Sequence, residues 1–186
     1  MNISKRAEYG LRALINMGIA QELGHERVTA GDLARADNLP LKFLEQILIQ
    51  LREAGYVETR RGKGGGYYIG RPMETIKMGE LVRLLDGPLA PIGCASKTAY
   101  TACSCPDETH CGLRMLMIDV RNAMSGILDR YSLHNVVEVS LRKMRRDGHE
   151  HFFLKSREEQ QTDAARFDPA DPALGFLAEL AKGEKK

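Results

Sequence analysis

The stretch LKFLEQILIQLREAGYVETRRGKGGGYYIGRP, residues 41–72, decides the fold. Within it Leu41, Leu44, Ile47, Leu48 and Leu51 recur at steps of three and four, the period of one helix face. Pro40 suits the first turn of that helix, where its missing N–H costs nothing, and Gly55 suits the stop. YVET and YYIG are then β-prone runs on either side of RRGKGGG. They predict a two-stranded hairpin whose tip carries Arg60, Arg61 and Lys63 among Gly62, Gly64, Gly65 and Gly66. Glycine admits positive φ and has no side chain, so such a tip lets backbone approach another surface closely. Arginine and lysine beside it suit a phosphate backbone or a narrow minor groove rich in A·T.

Upstream, Leu11, Leu14, Ile15, Gly18 and Ile19 share one face of a helix over residues 3–22, with Asn2 or Ser4 as its cap. Thr29 is the N-cap of a short helix ending near Asn38, and Asp32, three residues on, makes a loose capping box. Three helices in about fifty residues, the last two joined by a tight turn, form a helix-turn-helix. A glycine-rich basic hairpin directly after it reads as a DNA-touching wing rather than an ordinary surface turn.

Downstream, Met78, Leu81, Val82 and Leu85 mark a short amphipathic helix in KMGELVRLLD, closed by GPLAPIG. A longer helix is expected from about Gly112 to Tyr131, where Leu113, Leu116, Val120, Ala123 and Ile127 alternate in steps of three and four. That seam fits a homodimer contact. Ser132 caps a further helix ending near Gly148, and the polar remainder, with its DPADP step, reads as a disordered tail. The expected organisation is a winged helix-turn-helix over 1–88, a cysteine loop over 89–111, dimerisation helices over 112–148 and a tail over 149–186. The fold class is mainly α with a small β-hairpin.

Composition narrows the function. The chain has 186 residues, 43% hydrophobic and 28% charged, enough for a packed core. No apolar run approaches the ~18 residues that span a membrane, and MNISKRAEYG lacks the apolar stretch of a signal peptide, so the expected location is the cytoplasm. Residues 1–72 hold 11 Lys/Arg against 8 Asp/Glu, whereas 147–186 hold 6 against 9. There is no phosphate loop, no HExxH and no Ser/His/Asp or Cys/His arrangement, so no enzyme is expected. His25, His110, His134, His149 and His151 are scattered, and the last two are expected to be solvated.

All four cysteines, Cys94, Cys103, Cys105 and Cys111, lie within CASKTAYTACSCPDETHC. In a reducing compartment clustered thiols are metal ligands or redox sensors more often than disulfides. Zinc accepts four thiolates but favours C-x₂₋₄-C knuckles, which are missing here. A thiol switch needs a thiol of low pKa, and Lys97 and His110 offer nearby positive charge.

FLEQ, LREAGYV, RGKGGGY and LVRLLDGP before a cysteine loop together resemble the Rrf2 family of winged-helix transcriptional regulators, over roughly residues 1–146. The resemblance implies a homodimer that reads a palindromic operator in double-stranded DNA. It implies that an iron–sulfur cluster in the loop, [2Fe–2S] in preference to [4Fe–4S], controls binding. Carried onto this chain, Pro40, Leu41 and Lys42 lie near phosphates or base edges, and Glu45 and Gln46 are base readers. The chemistry permits this, since Gln pairs with adenine and Glu accepts from cytosine N4. Arg61 matches the basic residue before the family's glycine tip, beside Arg60, Lys63, Gly64 and Gly65. Cluster-binding members usually space three cysteines about five residues apart. Here eight residues separate Cys94 from Cys103, one separates Cys103 from Cys105, and five separate Cys105 from Cys111. Cys103 and Cys105 therefore compete for one role, or one of them is spare. Arg114 stands where some relatives have a histidine ligand, and Glu8 stands where others use an acidic residue of the partner subunit. The alternatives are a cluster-free thiol-redox or zinc-containing winged-helix regulator and, behind it, an electron carrier or interaction module.

Overall fold

The computed structural model describes residues 3–62 and 64–155; Lys63 and the 156–186 part of the expected tail lie outside the described residues. The elements run α1 (Lys5–Glu22), α2 (Ala30–Ala36), α3 (Leu41–Glu53), β1 (Val57–Arg60), β2 (Gly66–Ile69), α4 (Met78–Asp86), α5 (Gly112–Arg130) and α6 (Leu133–Asp147). Short 3-10 turns add Met73–Thr75, Gly93–Ala95 and Phe152–Leu154.

The caps are local sequence chemistry. Ser4 accepts the Ala7 N–H at 3.2 Å, so Ser4 starts α1. Thr29 and Asp32 exchange hydrogen bonds in a full capping box, and Ser132 and Asn135 do the same at α6. Gly148 closes α6 in the left-handed region, φ 65°. Asn38 makes the α2–α3 turn at φ 52°, a conformation asparagine tolerates better than most residues.

α1 is the central strut and packs on α2, α3, α4, α6 and β2. Two of its glycines permit this. A Cβ at Gly10 would sit 2.6 Å from Leu85 and 3.0 Å from Ile47, and one at Gly18 would sit 2.6 Å from Val137 and 2.9 Å from Met73. Leu14, Ile19, Leu33, Leu44, Ile47, Leu48, Leu51, Ile76, Leu81 and Leu133 are fully buried around that strut.

The hairpin is antiparallel, with Val57 opposite Ile69 and Arg60 opposite Gly66. Val28 adds a bridge to Tyr67, with both N–H···O bonds made at 3.0 and 2.8 Å. At Gly66 a Cβ would come within 2.7 Å of the Val28 carbonyl, so glycine lets the Val28 backbone close in.

Two expectations need correction. Leu41 is not in the core; as the first residue of α3 it projects past the packed face and stands 43% exposed. His151 is not solvated. It is 8% exposed, because the chain beyond α6 turns back onto α1, and ordered backbone continues past 149 to Lys155. The His151 ring lies 2.9 Å from Asn16 Oδ1 and receives the Phe153 N–H at 3.3 Å. Asn16 in turn donates to Asp37, which Arg12 also binds, while His25 Nε2 donates to the Phe153 carbonyl at 2.8 Å. No helix among the described residues is long and apolar enough to cross a membrane.

Candidate nucleic-acid interface and cysteine loop

α3 buries Leu44, Ile47, Leu48 and Leu51 and turns Lys42, Glu45, Gln46 and Ile49 outward. Pro40 is exposed at its N-terminus. Among the described residues Lys42, Glu45 and Gln46 have no hydrogen-bond or ion-pair partner. Their polar groups are free to meet an external surface. The helix is anchored from behind. Gln50 accepts from Arg6 at 2.6 Å and donates to the Leu84 carbonyl at 3.0 Å, and Phe43 meets Tyr9 edge-on at 5.8 Å.

At the wing, Arg60 and Arg61 are exposed, and Gly62 and Gly64 sit at φ 99° and 81°. The Gly65 N–H reaches the Gly62 carbonyl at 2.8 Å, and a Cβ on Gly65 would lie 2.4 Å from the Arg60 carbonyl. That close approach of backbone to backbone dictates glycine here. Sequence reasoning missed Arg27, whose Nη1 donates to the Gly64 carbonyl at 3.0 Å and so fastens the tip. A long-range contact of that kind leaves no periodic signal in the sequence.

The four thiols are free and form one string. Cys94, buried on the Gly93–Ala95 turn, has its thiol pKa raised by burial and by the neighbouring Cys103. The Cys103 thiol pKa is lowered, chiefly by its interaction with Cys105 and less by Cys94. Cys105 is pushed up to about 11 by the Cys103 sulfur beside it and is also raised by Cys111. Cys103 and Cys105 thus shift each other in opposite directions. Thiolate donors are what iron–sulfur clusters take, so the donor chemistry fits. The string is pairwise, however, and among the described residues no three Cys, His, Asp or Glu side chains surround a ready-made metal position.

Two arginines of α5 hold this loop. Arg114 Nε donates to the Cys94 carbonyl at 3.0 Å and pairs with Glu108 at 3.0 Å, while Arg121 donates to the Ala95 carbonyl at 2.5 Å. Glu108, also missed from sequence, takes the Tyr100 hydroxyl at 2.7 Å, and its charge raises the Cys94 pKa. His110 instead pairs with Asp107 at 2.7 Å in solvent. Glu8 is held by Lys5 at 2.7 Å and Arg12 at 3.3 Å, which draw its carboxyl below the usual range. No residue of α5 is buried, and Leu113, Leu116, Val120 and Ile127 stand exposed along it.

A free polar face on the second helix of a helix-turn-helix, flanked by a basic glycine wing, defines a DNA-binding regulator of the winged-helix class. Residues 3–139 match the model of the Rrf2 family, described as an iron-dependent transcriptional regulator. The chain belongs to that family, whose members are regulators and not enzymes. It is 34% identical over 137 residues to a putative HTH-type transcriptional regulator, rrf2-like, of Rhodobacter capsulatus, covering 73% of this chain and 91% of that protein. It is 36% identical over 86 residues to the regulator IscR of Cereibacter sphaeroides, covering 46% of this chain and 56% of that one. Among solved structures, CymR, the global cysteine regulator of B. subtilis, superposes with a TM-score of 0.61 at 29% identity, over 74% of this chain and 97% of the other.

Proposed function

We propose that this regulator acts in the cytoplasm as a homodimer on a palindromic operator in double-stranded DNA, and that an iron–sulfur cluster held in the 94–111 loop controls its binding. The observation that carries the reading is a loop that holds all four cysteines and is fastened to α5 by Arg114 and Arg121 through the Cys94 and Ala95 carbonyls. The family description as iron-dependent supports the same choice.

Each head would enter the major groove with the start of α3. Pro40, Leu41 and Lys42 would meet backbone and base edges, Glu45 and Gln46 would read bases, and Arg60, Arg61, Lys63, Gly64 and Gly65 would follow the phosphates. The exposed apolar seam of α5 would pair two chains so that the heads fall one DNA turn apart, ~34 Å. Cys94, Cys105 and Cys111, with Cys103 beside Cys105, would hold the cluster, and Glu8 of the partner subunit would complete the set. A bound [2Fe–2S] cluster supplies a centre whose charge and presence change with redox state. The chain's own part is mechanical. Drawing the thiols together moves the Gly93–Ala95 turn, and Arg114 and Arg121 pass that movement to α5, which sets the spacing of the heads.

The test is the visible absorbance of protein purified without oxygen, with iron and sulfide assayed on the same sample. Matched iron and sulfide, lost in each of Cys94→Ala, Cys105→Ala and Cys111→Ala, supports the reading; colourless protein that takes up neither on reconstitution overturns it. A second reading is a cluster-free thiol switch. It is favoured by the lowered thiol pKa of Cys103, caused chiefly by the neighbouring Cys105, and by the CymR likeness. It requires oxidation of one thiol pair to alter DNA binding in iron-free protein.

A further inference from the structure

Opposite the buried face of α3, Lys42, Gln46, Ile49 and Glu53 follow at steps of four, three and four, which places them in one outward row. Three of the four are polar or charged. Ile49 is 37% exposed, lies on the face away from Leu44, Ile47, Leu48 and Leu51, and is absent from the hydrophobic core. An isolated exposed aliphatic side chain normally needs no explanation. This one occupies the centre of the surface that the functional reading turns toward DNA, where water is expelled on binding and each group must find a partner.

We propose that Ile49 is a specificity-determining residue that packs against the 5-methyl group of a thymine in the major groove. The inference rests on the reading of α3 as the DNA-reading helix and extends it. Isoleucine has no donor or acceptor, so neither a phosphate nor the polar edge of guanine, cytosine or adenine suits it. The thymine methyl is the apolar feature of the major-groove code. Its place is also set. With ~1.5 Å of rise per residue, Ile49 lies about 10 Å along the helix from Lys42, within a groove about 12 Å wide. It therefore reads a base apart from those met by Lys42 and Pro40, on the side of Glu45 and Gln46. β-branching holds its χ1, so the contact is positioned before binding.

The experiment uses the full chain. A preferred duplex is first selected from a random-sequence pool, and each thymine in a half-site is then replaced by deoxyuridine, which removes only the methyl group. For the wild type, one such replacement weakens binding about three- to fivefold, the size of one buried methyl group. Ile49→Ala binds the parent duplex less well by a similar factor and has lost the response at that position only, while Ile49→Val retains it. Equal responses of wild type and Ile49→Ala at every thymine overturn the proposal, as does a selected site without thymine in the major groove beneath α3. Salt-sensitive binding to random duplex is read in parallel. Its absence overturns the DNA-binding reading itself, whereas its presence with no Ile49-dependent methyl response overturns this inference alone.

Discussion

Arg61 stands exposed beside Gly62 at the wing tip, and among the described residues it has no intramolecular partner. On the proposed reading it follows phosphate rather than sequence, which sets what its loss should do. Arg61→Ala weakens binding to all duplexes alike and lowers the slope of log affinity against log salt by about 0.9, one released counterion. An anisotropy titration at several salt concentrations measures this; a loss confined to one sequence would mean base reading instead. His151 offers a second residue-level expectation. Its Nδ1 accepts the Phe153 N–H, so Nε2 carries the proton donated to Asn16, and the neutral ring satisfies both contacts. Burial, helped by His149 and Lys155, lowers its pKa to about 4. The unfolded chain takes up this proton as pH falls through about 6.5, the folded chain only near 4. The contribution is therefore complete above about 6.5 and declines below it. Asp37 and Arg12 stand behind Asn16, and His25 stands across Phe153, so the network fails together. Thermal melts between pH 7 and 5 should show a steeper loss for wild type than for His151→Gln.

At the level of elements, local chemistry was legible and long-range chemistry was not. The apolar steps in PLKFLEQILIQL gave α3 with its buried face, Thr29 with Asp32 gave the start of α2, and the glycine tip gave the hairpin between Val57 and Ile69. Each of these is written within a few residues. The bridge at Val28, the Arg27 tie to Gly64 and the fold-back at His151 join residues 37 to 135 positions apart, and nothing in a local pattern records them. The same holds for the clasp of Arg114 and Arg121 on the Cys94 turn. Arg121 carries its own expectation. Removing it as Arg121→Ala frees the Ala95 carbonyl and loosens the turn that buries Cys94. Alkylation of Cys94 in iron-free protein, followed by mass spectrometry, then speeds up, with Cys105 little changed. Equal rates in both proteins would mean that the clasp does not hold the loop.

For the whole molecule, the question is how a change at the cysteines reaches DNA. α5 carries an apolar seam without a buried residue, and its C-terminal end is tied in where Met78 N–H donates to the Tyr131 carbonyl, next to Leu133 N–H donating to the Ile76 carbonyl. An apolar helix face of this length left in water is costly, and in the proposed homodimer a second copy of the same face would cover it by two-fold symmetry. Leu116→Asp should give a monomer by sedimentation. Joining two heads raises avidity by about 10²–10⁴, so operator affinity should fall by that factor while weak, salt-sensitive binding to random duplex survives. A Leu116→Asp dimer would place the interface elsewhere. The sequence seam at Leu113, Leu116, Val120 and Ile127 pointed to this face, and the structure leaves it exposed; which partner covers it is decided in solution. On the proposed function the state of the cysteine loop controls DNA binding. The most direct measurement is operator affinity of one anaerobic preparation before and after its iron is removed by a chelator, with Cys105→Ala in parallel. The account predicts that affinity changes at least about tenfold, a coupling of the size usual between two sites, and that Cys105→Ala behaves as the iron-free protein in both conditions. Identical affinity with iron bound and removed would contradict it.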